Sequence, residues 1–215
     1  MTMTNCALVP VKSLPDVKSR LVPYLSQSQR ETLVLDMLHH VLHILLDSNL
    51  LEQVSVVSPD MRVLEHAEAW GAHAFSEEIP GHNPALYAAA LRMQAKGASA
   101  LLTLSADLPL LQPSDIRTLI AQSVRYQVVL APARDGTGTN AILTRPPLAL
   151  PYLFGPDSLQ RYMEEARQRK LSVSLYNSIG LALDIDTIDD LDDLYELQAL
   201  SGELPGRVEL AAYNL

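Results

Sequence analysis

Short apolar runs alternate along this chain with longer segments of helical periodicity, and this alternation restricts the fold more than any other feature. Strands are predicted at 6–11, 53–58, 100–105, 127–132, 140–144, 172–177 and 181–186. Helices are predicted at 28–47, 61–70, 83–96, 113–125, 158–170 and 188–199. Ser26 or Ser28 is the expected N-cap of the first helix. Because strands and helices take turns, we expect an α/β fold with a mostly parallel sheet covered on both faces.

The length and composition are those of a globular protein with one full core. No linker rich in proline, glycine or serine divides the 215 residues, so we predict a single domain over 1–215. The net charge of −9 argues against a nucleic-acid binder and against docking on anionic membranes. No membrane span or signal peptide is recognisable, and we expect a cytoplasmic protein. The single cysteine, Cys6, is expected to be a small buried hydrophobe.

Three aspartates near the ends of predicted strands are candidates for a metal site. Asp107 directly follows the run 100–105, where the alternative is an ordinary turn or helix cap. Asp184 and Asp186 are two residues apart in a predicted strand, so their carboxylates should project from one face. Like charges this close repel each other unless a cation lies between them, and hard oxygen ligands suit Mg²⁺. The alternative is that one of this pair caps the next helix.

Two glycine-containing segments are candidates for anion binding. The run 134–140 places two glycines among hydroxyl residues, which is typical either of an anion-binding loop or of a plain hairpin turn. In FGPDS (154–158), Asp157 or Ser158 could be the N-cap of the following helix. The functional alternative is an anion at that helix N-terminus, with access allowed by Gly155.

The remaining polar groups divide into one functional candidate and several structural ones. A basic cluster that could hold a polyphosphate follows the first strand, at Lys12, Lys18 and Arg20. One helix carries three histidines, His39, His40 and His43, for which a polar helix stripe or a dimer contact is favoured over a zinc site. The acids at 189, 190, 192 and 193 are interpreted as structural, with Thr187 and Asp190 forming a capping box.

Taken together, the motifs resemble a known family. VPVKSL and KSRL (within 9–21), SADLPLL (105–111), DGTGTNAIL (135–143), FGPDS (154–158) and LALDIDT (181–187) occur in the order seen in 2-phospho-L-lactate guanylyltransferases. The resemblance covers nearly the whole chain. It implies a three-layer α/β/α sandwich with a mostly parallel mixed sheet, which is the fold of the nucleotide-diphospho-sugar transferases.

The resemblance also implies a reaction and a set of ligands. The phosphate of 2-phospho-L-lactate, or of phosphoenolpyruvate in some bacterial relatives, attacks the α-phosphorus of GTP and releases pyrophosphate. The product, lactyl-2-diphospho-5'-guanosine in the first case, belongs to coenzyme F-420 biosynthesis. Mg²⁺ is the implied cofactor, and a homodimer is the implied assembly.

By motif, the resemblance assigns a role to each candidate residue. The implied magnesium ligands are Asp107, Asp184 and Asp186, and the implied phosphate ligands of the acceptor are Thr139, Gly155 and Ser158. Asp107 also counts as catalytic, together with Lys12 and Lys18 near the phosphates. Further substrate contacts are expected from Arg20, Asn83 and Asn140. Asn83 lies in GHNPAL (81–86), which resembles a nucleotide-approaching Gly-Leu-Asn-x-Ala loop, although His82 stands where that loop has leucine.

Three alternatives stay open at this point. The same machinery could transfer a nucleotide to another acceptor, such as a molybdopterin, a sugar phosphate or another phospho-acid. A metal-dependent glycosyltransferase could use Asp184 and Asp186 to hold a nucleotide sugar and would release no pyrophosphate. A non-catalytic nucleotide-binding protein on the same fold would show metal-independent binding without turnover. The segment 202–215 carries no motif and is interpreted as a tail or a docking strand.

Overall fold

A seven-stranded mixed sheet forms the centre of the molecule. The computed structural model describes residues 4–201, so the prediction for 202–215 lies outside the described residues. The strands are β1 (Asn5–Pro10), β2 (Gln53–Ser58), β3 (His73–Ser76), β4 (Ala100–Leu104), β5 (Val128–Pro132), β6 (Thr139–Thr144) and β7 (Val173–Leu175). Their order is β3-β2-β1-β4-β6-β5-β7. Only β6 pairs antiparallel to its neighbours within this sheet, and the other pairs are parallel.

Five helices lie in connections between strands, and two more follow the last strand in the described chain. They are α1 (Gln27–Asp47), α2 (Met61–Ala69), α3 (His82–Ala95), α4 (Pro113–Gln122), α5 (Ser158–Gln168), α6 (Ile179–Ala182) and α7 (Ile188–Ser201), with short 3₁₀ helices at Leu14–Asp16 and Ser19–Leu21. Ser26 caps α1 in a reciprocal capping box with Gln29, which confirms one of its two predicted caps. Among the described helices, none has both the length and the apolar character needed to cross a membrane.

The sheet lies between two layers of helices. On β1, Ala7 and Val9 face one side while Cys6 and Leu8 face the other, as the alternation of a strand requires. Helices α1, α2, α4, α6 and α7 share one core cluster with Ala7 and Val9, whereas α3 packs on Cys6 and Leu8. On that second face α5 packs on Val128 of β5. The predicted α/β fold and its three-layer sandwich are therefore confirmed, as is the burial of Cys6.

The predicted strand at 181–186 is wrong. Its first two residues belong to α6, and the rest has no regular secondary structure. The backbone groups of this segment bond to other partners, since the Asn140 amide Nδ2 donates to the Leu181 carbonyl at 3.0 Å. The Ile185 N–H donates to the Asp107 carbonyl at 3.3 Å. The alternation of buried and accessible side chains that predicted a strand is present, but a side chain and a loop, rather than a neighbouring strand, satisfy the backbone.

Candidate active site

The candidate residues meet at one edge of the sheet. The carboxyl ends of the parallel strands β1 and β4 lie there together with the amino end of β6, because β6 runs in the opposite direction. Lys12 therefore follows β1, Asp107 follows β4, and Thr139 and Asn140 begin β6 at the same edge. The Ser105 N–H donates to the Asn140 carbonyl at 2.8 Å and ties the loop that carries Asp107 to β6. This is the edge where ligands of open α/β sheets bind.

Three carboxylates converge at this edge. Asp107, Asp184 and Asp186 each offer an oxygen, and these oxygens lie within 4.8 Å of one another. Asp184 is oriented by Asn140, whose Nδ2 donates to its Oδ1 at 2.9 Å and also holds the backbone of α6. The Asn140 amide thus positions a carboxylate, and the substrate contact expected of this residue stays a prediction. We name these three aspartates the acidic cluster, and their hard oxygen donors suit a divalent cation.

A buried lysine supplies a positive counter-charge to the acidic cluster. The Lys18 Nζ forms an ion pair with Asp107 and a second one with Asp186, at 3.0 Å from its Oδ1. Only 7% of the Lys18 side chain is exposed. Arg20 lies further out, with its Nη1 at 3.8 Å from the Asp186 Oδ2. The long-range pairing places Lys18 among the carboxylates themselves, which its position after the first strand did not reveal.

The two C-terminal members of the cluster have opposite shifts of pKa. Burial, reinforced by the charge of Asp107, raises the pKa of Asp184 to about 6. For Asp186 burial acts in the same direction, but the charge and hydrogen bond of Lys18 outweigh it and lower the pKa. The same carboxylates raise the pKa of Lys18 against the effect of its burial. Asp184 is thus the member of the pair that a proton occupies first as the pH falls.

A large cleft of about 790 Å³ opens beside the acidic cluster. Its lining includes Arg20, Arg134, Thr139, Gly155, Ser158, Asp184 and Asp186. The Thr139 Oγ1 is buried and has no hydrogen-bond partner among the described residues. A buried hydroxyl without a partner is unfavourable, so this atom indicates a place for a polar ligand.

The turn that precedes α5 forms one wall of the large cleft. Gly155 has φ 122°, a conformation that L side chains rarely adopt, so glycine is required there. Asp157 occupies the N-cap position in the left-handed region and makes no side-chain capping bond. Ser158 is the first residue of the helix, and 1% of it is exposed. Asp157, one of the two predicted candidates, is therefore the N-cap residue, but its side chain makes no capping hydrogen bond, and Ser158 lines the cleft.

The glycine run 134–140 forms a hairpin turn between β5 and β6. The Asp135 side chain accepts hydrogen bonds from the backbone N–H groups of Thr137 and Gly138, at 2.8 and 3.0 Å. These amides are consequently not available to an anion. Arg134 forms an ion pair with Asp193 of α7 and lines the large cleft. Of the two alternatives for this run, the hairpin turn is therefore the one observed. Thr139 and Asn140, the last two residues of the run, lie in β6 and contribute to the site.

A small cleft of about 280 Å³ lies on the other side of the acidic cluster. Its lining includes Lys12, Ser13, Asp16, Glu77, Gly81 and His82. A central pocket of about 150 Å³ shares Lys12 and His82 with the small cleft and Asp186 with the large cleft. Burial, followed by the charge of Lys12, lowers the pKa of His82. At pH 7 this ring is therefore neutral, and it adds no charge to the pocket.

Asn83 lies between the two clefts rather than in either one. Its Nδ2 donates to the Phe154 carbonyl and its Oδ1 accepts from the Phe154 N–H, both at 3.0 Å. Both ends of the amide are therefore occupied by the backbone that precedes Gly155. The observed contacts join the first turn of α3 to the segment before α5, and the substrate contact expected of Asn83 stays a prediction.

The other polar groups singled out from the sequence have structural contacts. The buried His40 makes a 3.0 Å hydrogen bond with the Leu111 carbonyl, and His39 packs on Trp70. Within the described chain, the acidic cluster is the one group of three or more acids, histidines or cysteines arranged for a metal. Thr187 and Asp190 form the predicted capping box, with the Thr187 N–H donating to the Asp190 Oδ2 at 2.7 Å.

Gly180 was missed by the sequence analysis. A Cβ there would lie 2.6 Å from the Leu110 carbonyl oxygen and would also meet the Asp115 carboxylate. The absence of a side chain lets α6 pack against the start of α4 and thereby sets the position of the segment that carries Asp184. The only signal in the sequence was a glycine inside an otherwise apolar stretch.

Comparison with known proteins identifies the family. A model described as "Guanylyl transferase CofC like" matches residues 5–199. The chain belongs to the CofC family. The resemblance inferred from the motifs is thereby confirmed, and the chain is placed among the guanylyltransferases, a class of nucleotidyltransferases.

Relatives and a solved structure agree with this placement. The chain is 41% identical to the phosphoenolpyruvate guanylyltransferase of Sphaerobacter thermophilus, covering 89% of this chain and 93% of the relative. It is 36% identical to the 2-phospho-L-lactate guanylyltransferase of Methanothermobacter thermautotrophicus, covering 89% and 84%. A solved protein of Desulfovibrio desulfuricans, classed with the nucleotide-diphospho-sugar transferases, aligns with a TM-score of 0.81 at 20% identity, covering 97% and 93%. The last comparison supports the predicted fold.

Proposed function

We propose that this CofC-family enzyme transfers GMP from GTP to the phosphate of a three-carbon 2-phospho acid and releases pyrophosphate. The observation that carries the proposal is the acidic cluster between two clefts, one lined by Lys12 and the other by Thr139 and Ser158. In the reaction, an oxygen of the acceptor phosphate bonds to the α-phosphorus while the bond between that phosphorus and the β-phosphate oxygen breaks. The electron pair of the broken bond leaves with pyrophosphate.

The large cleft is assigned to the acceptor. The free hydroxyl of Thr139 and the hydroxyl of Ser158 donate hydrogen bonds to its phosphate, and Gly155 lets that phosphate approach the backbone. Arg20 at the rim adds a positive charge for the carboxylate side of the acceptor. Because a phosphate monoester is already ionised at pH 7, the attack needs no general base. Among the described residues that line the cleft there is no histidine, which agrees with this mechanism.

The small cleft and the central pocket are assigned to GTP. Lys12 lines both of them, and Lys18 lies at the floor of the central pocket between Asp107 and Asp186. A lysine held by two carboxylates is kept charged and in place, so it can stabilise negative charge that develops on the leaving pyrophosphate. Lys12 supplies a second, more mobile charge for the same group.

The acidic cluster fits a magnesium ion. Its three converging carboxylates provide hard oxygen donors, and the entry of Lys18 among them shows that this place requires a positive charge. A bound Mg²⁺ would supply neutralisation of phosphate charge between the two substrates. The chain contributes orientation, since Asn140 holds Asp184 and the Asp107 carbonyl holds the backbone of the opposite segment.

The two acceptors under consideration differ in one carbon–carbon bond, which is double in phosphoenolpyruvate and single in 2-phospho-L-lactate. The more similar of the two relatives described above, at 41% identity, is named for phosphoenolpyruvate, and the one at 36% is named for 2-phospho-L-lactate. We therefore place phosphoenolpyruvate first and 2-phospho-L-lactate second. Either product would serve coenzyme F-420 biosynthesis, the pathway that the motif resemblance implies.

The decisive experiment measures pyrophosphate release from GTP and Mg²⁺ with each acceptor offered separately. Release that depends on one acid supports the proposal and identifies the acceptor, and mass spectrometry of the product confirms the diphosphate link. No release with either acid, from folded protein that binds GTP, would shift the proposal to another phosphate acceptor. Failure to bind GTP would contradict the proposed function, and cleavage of a nucleotide sugar without pyrophosphate would favour the glycosyltransferase.

Replacing Thr139 by valine should weaken binding of the acceptor without lowering the stability of the protein. The Thr139 Oγ1 has no partner in the described structure, so its removal should leave the melting temperature unchanged or slightly higher. Loss of a hydrogen bond to a charged phosphate, of about 1.5–3 kcal/mol, should raise the KM of the acceptor roughly tenfold or more and leave the KM of GTP unchanged. Thr144→Val, at the other end of β6, is the matched control. An unchanged acceptor KM in Thr139→Val would contradict this role.

Magnesium binding should weaken as the pH falls below about 6. Below its pKa of about 6 Asp184 takes up a proton, which competes with the cation, so affinity should fall by up to about tenfold per pH unit. Because this pKa is raised by folding, the contribution of Asp184 to stability is fully present below its unfolded value and is lost as the pH rises through 6. Calorimetric titration of metal-free protein at several pH values measures the first effect. A pH-independent affinity would contradict it.

A further inference from the structure

We propose that Asn83 is a positioning residue that couples the nucleotide side of the site to the acceptor side. This inference rests on the proposed assignment of GTP to the small cleft and of the acceptor to the large cleft. Both ends of the Asn83 amide bind the backbone of Phe154, one as donor and one as acceptor, at 3.0 Å each. The two residues are 71 positions apart in the chain, so this pair joins the first turn of α3 to the segment that precedes α5.

Each end of the pair is adjacent to a different cleft. Gly81 and His82 directly precede Asn83 and line the small cleft. Gly155 directly follows Phe154 and lines the large cleft. Neither Asn83 nor Phe154 lines the large or the small cleft, so the pair is a bridge between their walls and not a wall of either. Any shift of the α3 N-terminus therefore acts on the segment before α5 through two hydrogen bonds.

Ring contacts reinforce the same bridge. The His82 ring meets the Phe154 ring edge-on, with centroids 5.5 Å apart. The Phe154 ring also packs on Tyr162 and on Tyr152, at 5.7 and 6.0 Å. A residue of the small cleft thus touches the aromatic side chain that anchors the turn before Gly155. Such offset and edge-on contacts have a preferred geometry, so they transmit orientation as well as proximity.

A glycine with positive φ lies near each end of the bridge. Gly81 has φ 109° and Gly155 has φ 122°, and each lies next to one end of the bridge. A nucleotide that contacts Gly81 and His82 restrains the α3 N-terminus and, through the bridge, the Phe154 backbone, so the acceptor that binds next meets a wall that is already restrained. The coupling is thus favourable, and by linkage each substrate should raise the affinity of the other by the same factor. It would offset part of the repulsion between two anionic substrates.

The test measures acceptor binding with and without a nucleotide. Calorimetric titration uses phosphoenolpyruvate and 2-phospho-L-lactate with Mg²⁺, alone and with the α,β-methylene analogue of GTP, whose bond cannot be cleaved. In the wild type, the analogue should lower the acceptor Kd by about fivefold or more. In Asn83→Ala this ratio should fall to about one. Asn83→Asp keeps the size and the acceptor but loses the donor, so its ratio should be intermediate.

Tyr152→Phe is the matched control. It removes a buried 2.7 Å hydrogen bond to Thr103 beside the same ring cluster and leaves both bonds of the bridge intact, so its ratio should equal that of the wild type. A ratio near one in the wild type, or an unchanged ratio in both Asn83 variants, would overturn the inference. Asn83→Asp decides the question if Asn83→Ala does not fold. Failure of the proposed function is a separate result, since it appears as absent pyrophosphate release in the wild type.

Discussion

Asp184→Asn should reduce turnover by well over tenfold while the protein stays folded. The substitution removes one of three carboxylates from the acidic cluster, and an amide oxygen is a much weaker ligand for a divalent cation. A tenfold loss corresponds to about 1.4 kcal/mol of activation free energy. The new side chain keeps an oxygen that can accept the hydrogen bond from Asn140, so the local structure has no reason to change. Steady-state pyrophosphate release at saturating Mg²⁺ is the measurement.

The expected stability of this variant makes the prediction specific. Burial raises the pKa of Asp184 to about 6, so at pH 7 the folded state carries an unfavourable charge that the variant lacks. The metal-free variant should therefore melt no lower than the wild type at pH 7. Asp192→Asn removes the same charge from an exposed position of α7 and should keep normal turnover and stability. Near-normal turnover of Asp184→Asn would contradict the metal assignment.

The central strands were predictable because they are buried on both faces. The run 53–58 was predicted with the bounds that β2 has in the structure, since three valines in six residues favour a strand and Pro59 ends it. The edge strand β3 was not predicted, because its four residues are only partly buried and leave no apolar run. At 181–186 the alternating sequence correctly predicted which side chains are buried, but it wrongly predicted a strand. Such a pattern does not specify which groups form hydrogen bonds with the backbone.

The site was predictable to the extent that fold topology brings strand ends together. Asp107 and Lys12 follow parallel strands, so their meeting at one edge follows from the α/β pattern. The roles of Asn140 and Asn83 were not predictable in this way, because each depends on a partner 44 or 71 residues away. An amide side chain carries no charge or periodicity that points to such a partner. Motif resemblance identified both residues, and only the coordinates show what they contact.

Of the substitutions considered, replacement of Lys18 should have the largest effect on stability. Its Nζ lies between Asp107 and Asp186, and its side chain is nearly completely buried. Removing one partner of a buried ion pair costs about 3–5 kcal/mol, because the opposite charge stays buried without compensation. Asp186 is half exposed, so water takes over part of that compensation. For Lys18→Met we therefore expect a loss of about 2–3 kcal/mol in the metal-free protein, measured by urea unfolding.

Added Mg²⁺ should restore much of the stability that Lys18→Met loses. A cation can replace the charge of Lys18 but not its packing, so this response separates the two contributions. Without the lysine, the three carboxylates of the acidic cluster lack their counter-charge, so the variant should gain more stability from added Mg²⁺ than the wild type does. Its turnover should remain low, because the lysine is also required for the leaving pyrophosphate. Lys12→Met is the matched control, since Lys12 is exposed and forms no ion pair among the described residues. An equal response of Lys18→Met and wild type to Mg²⁺ would show that Lys18 does not supply the counter-charge of the acidic cluster.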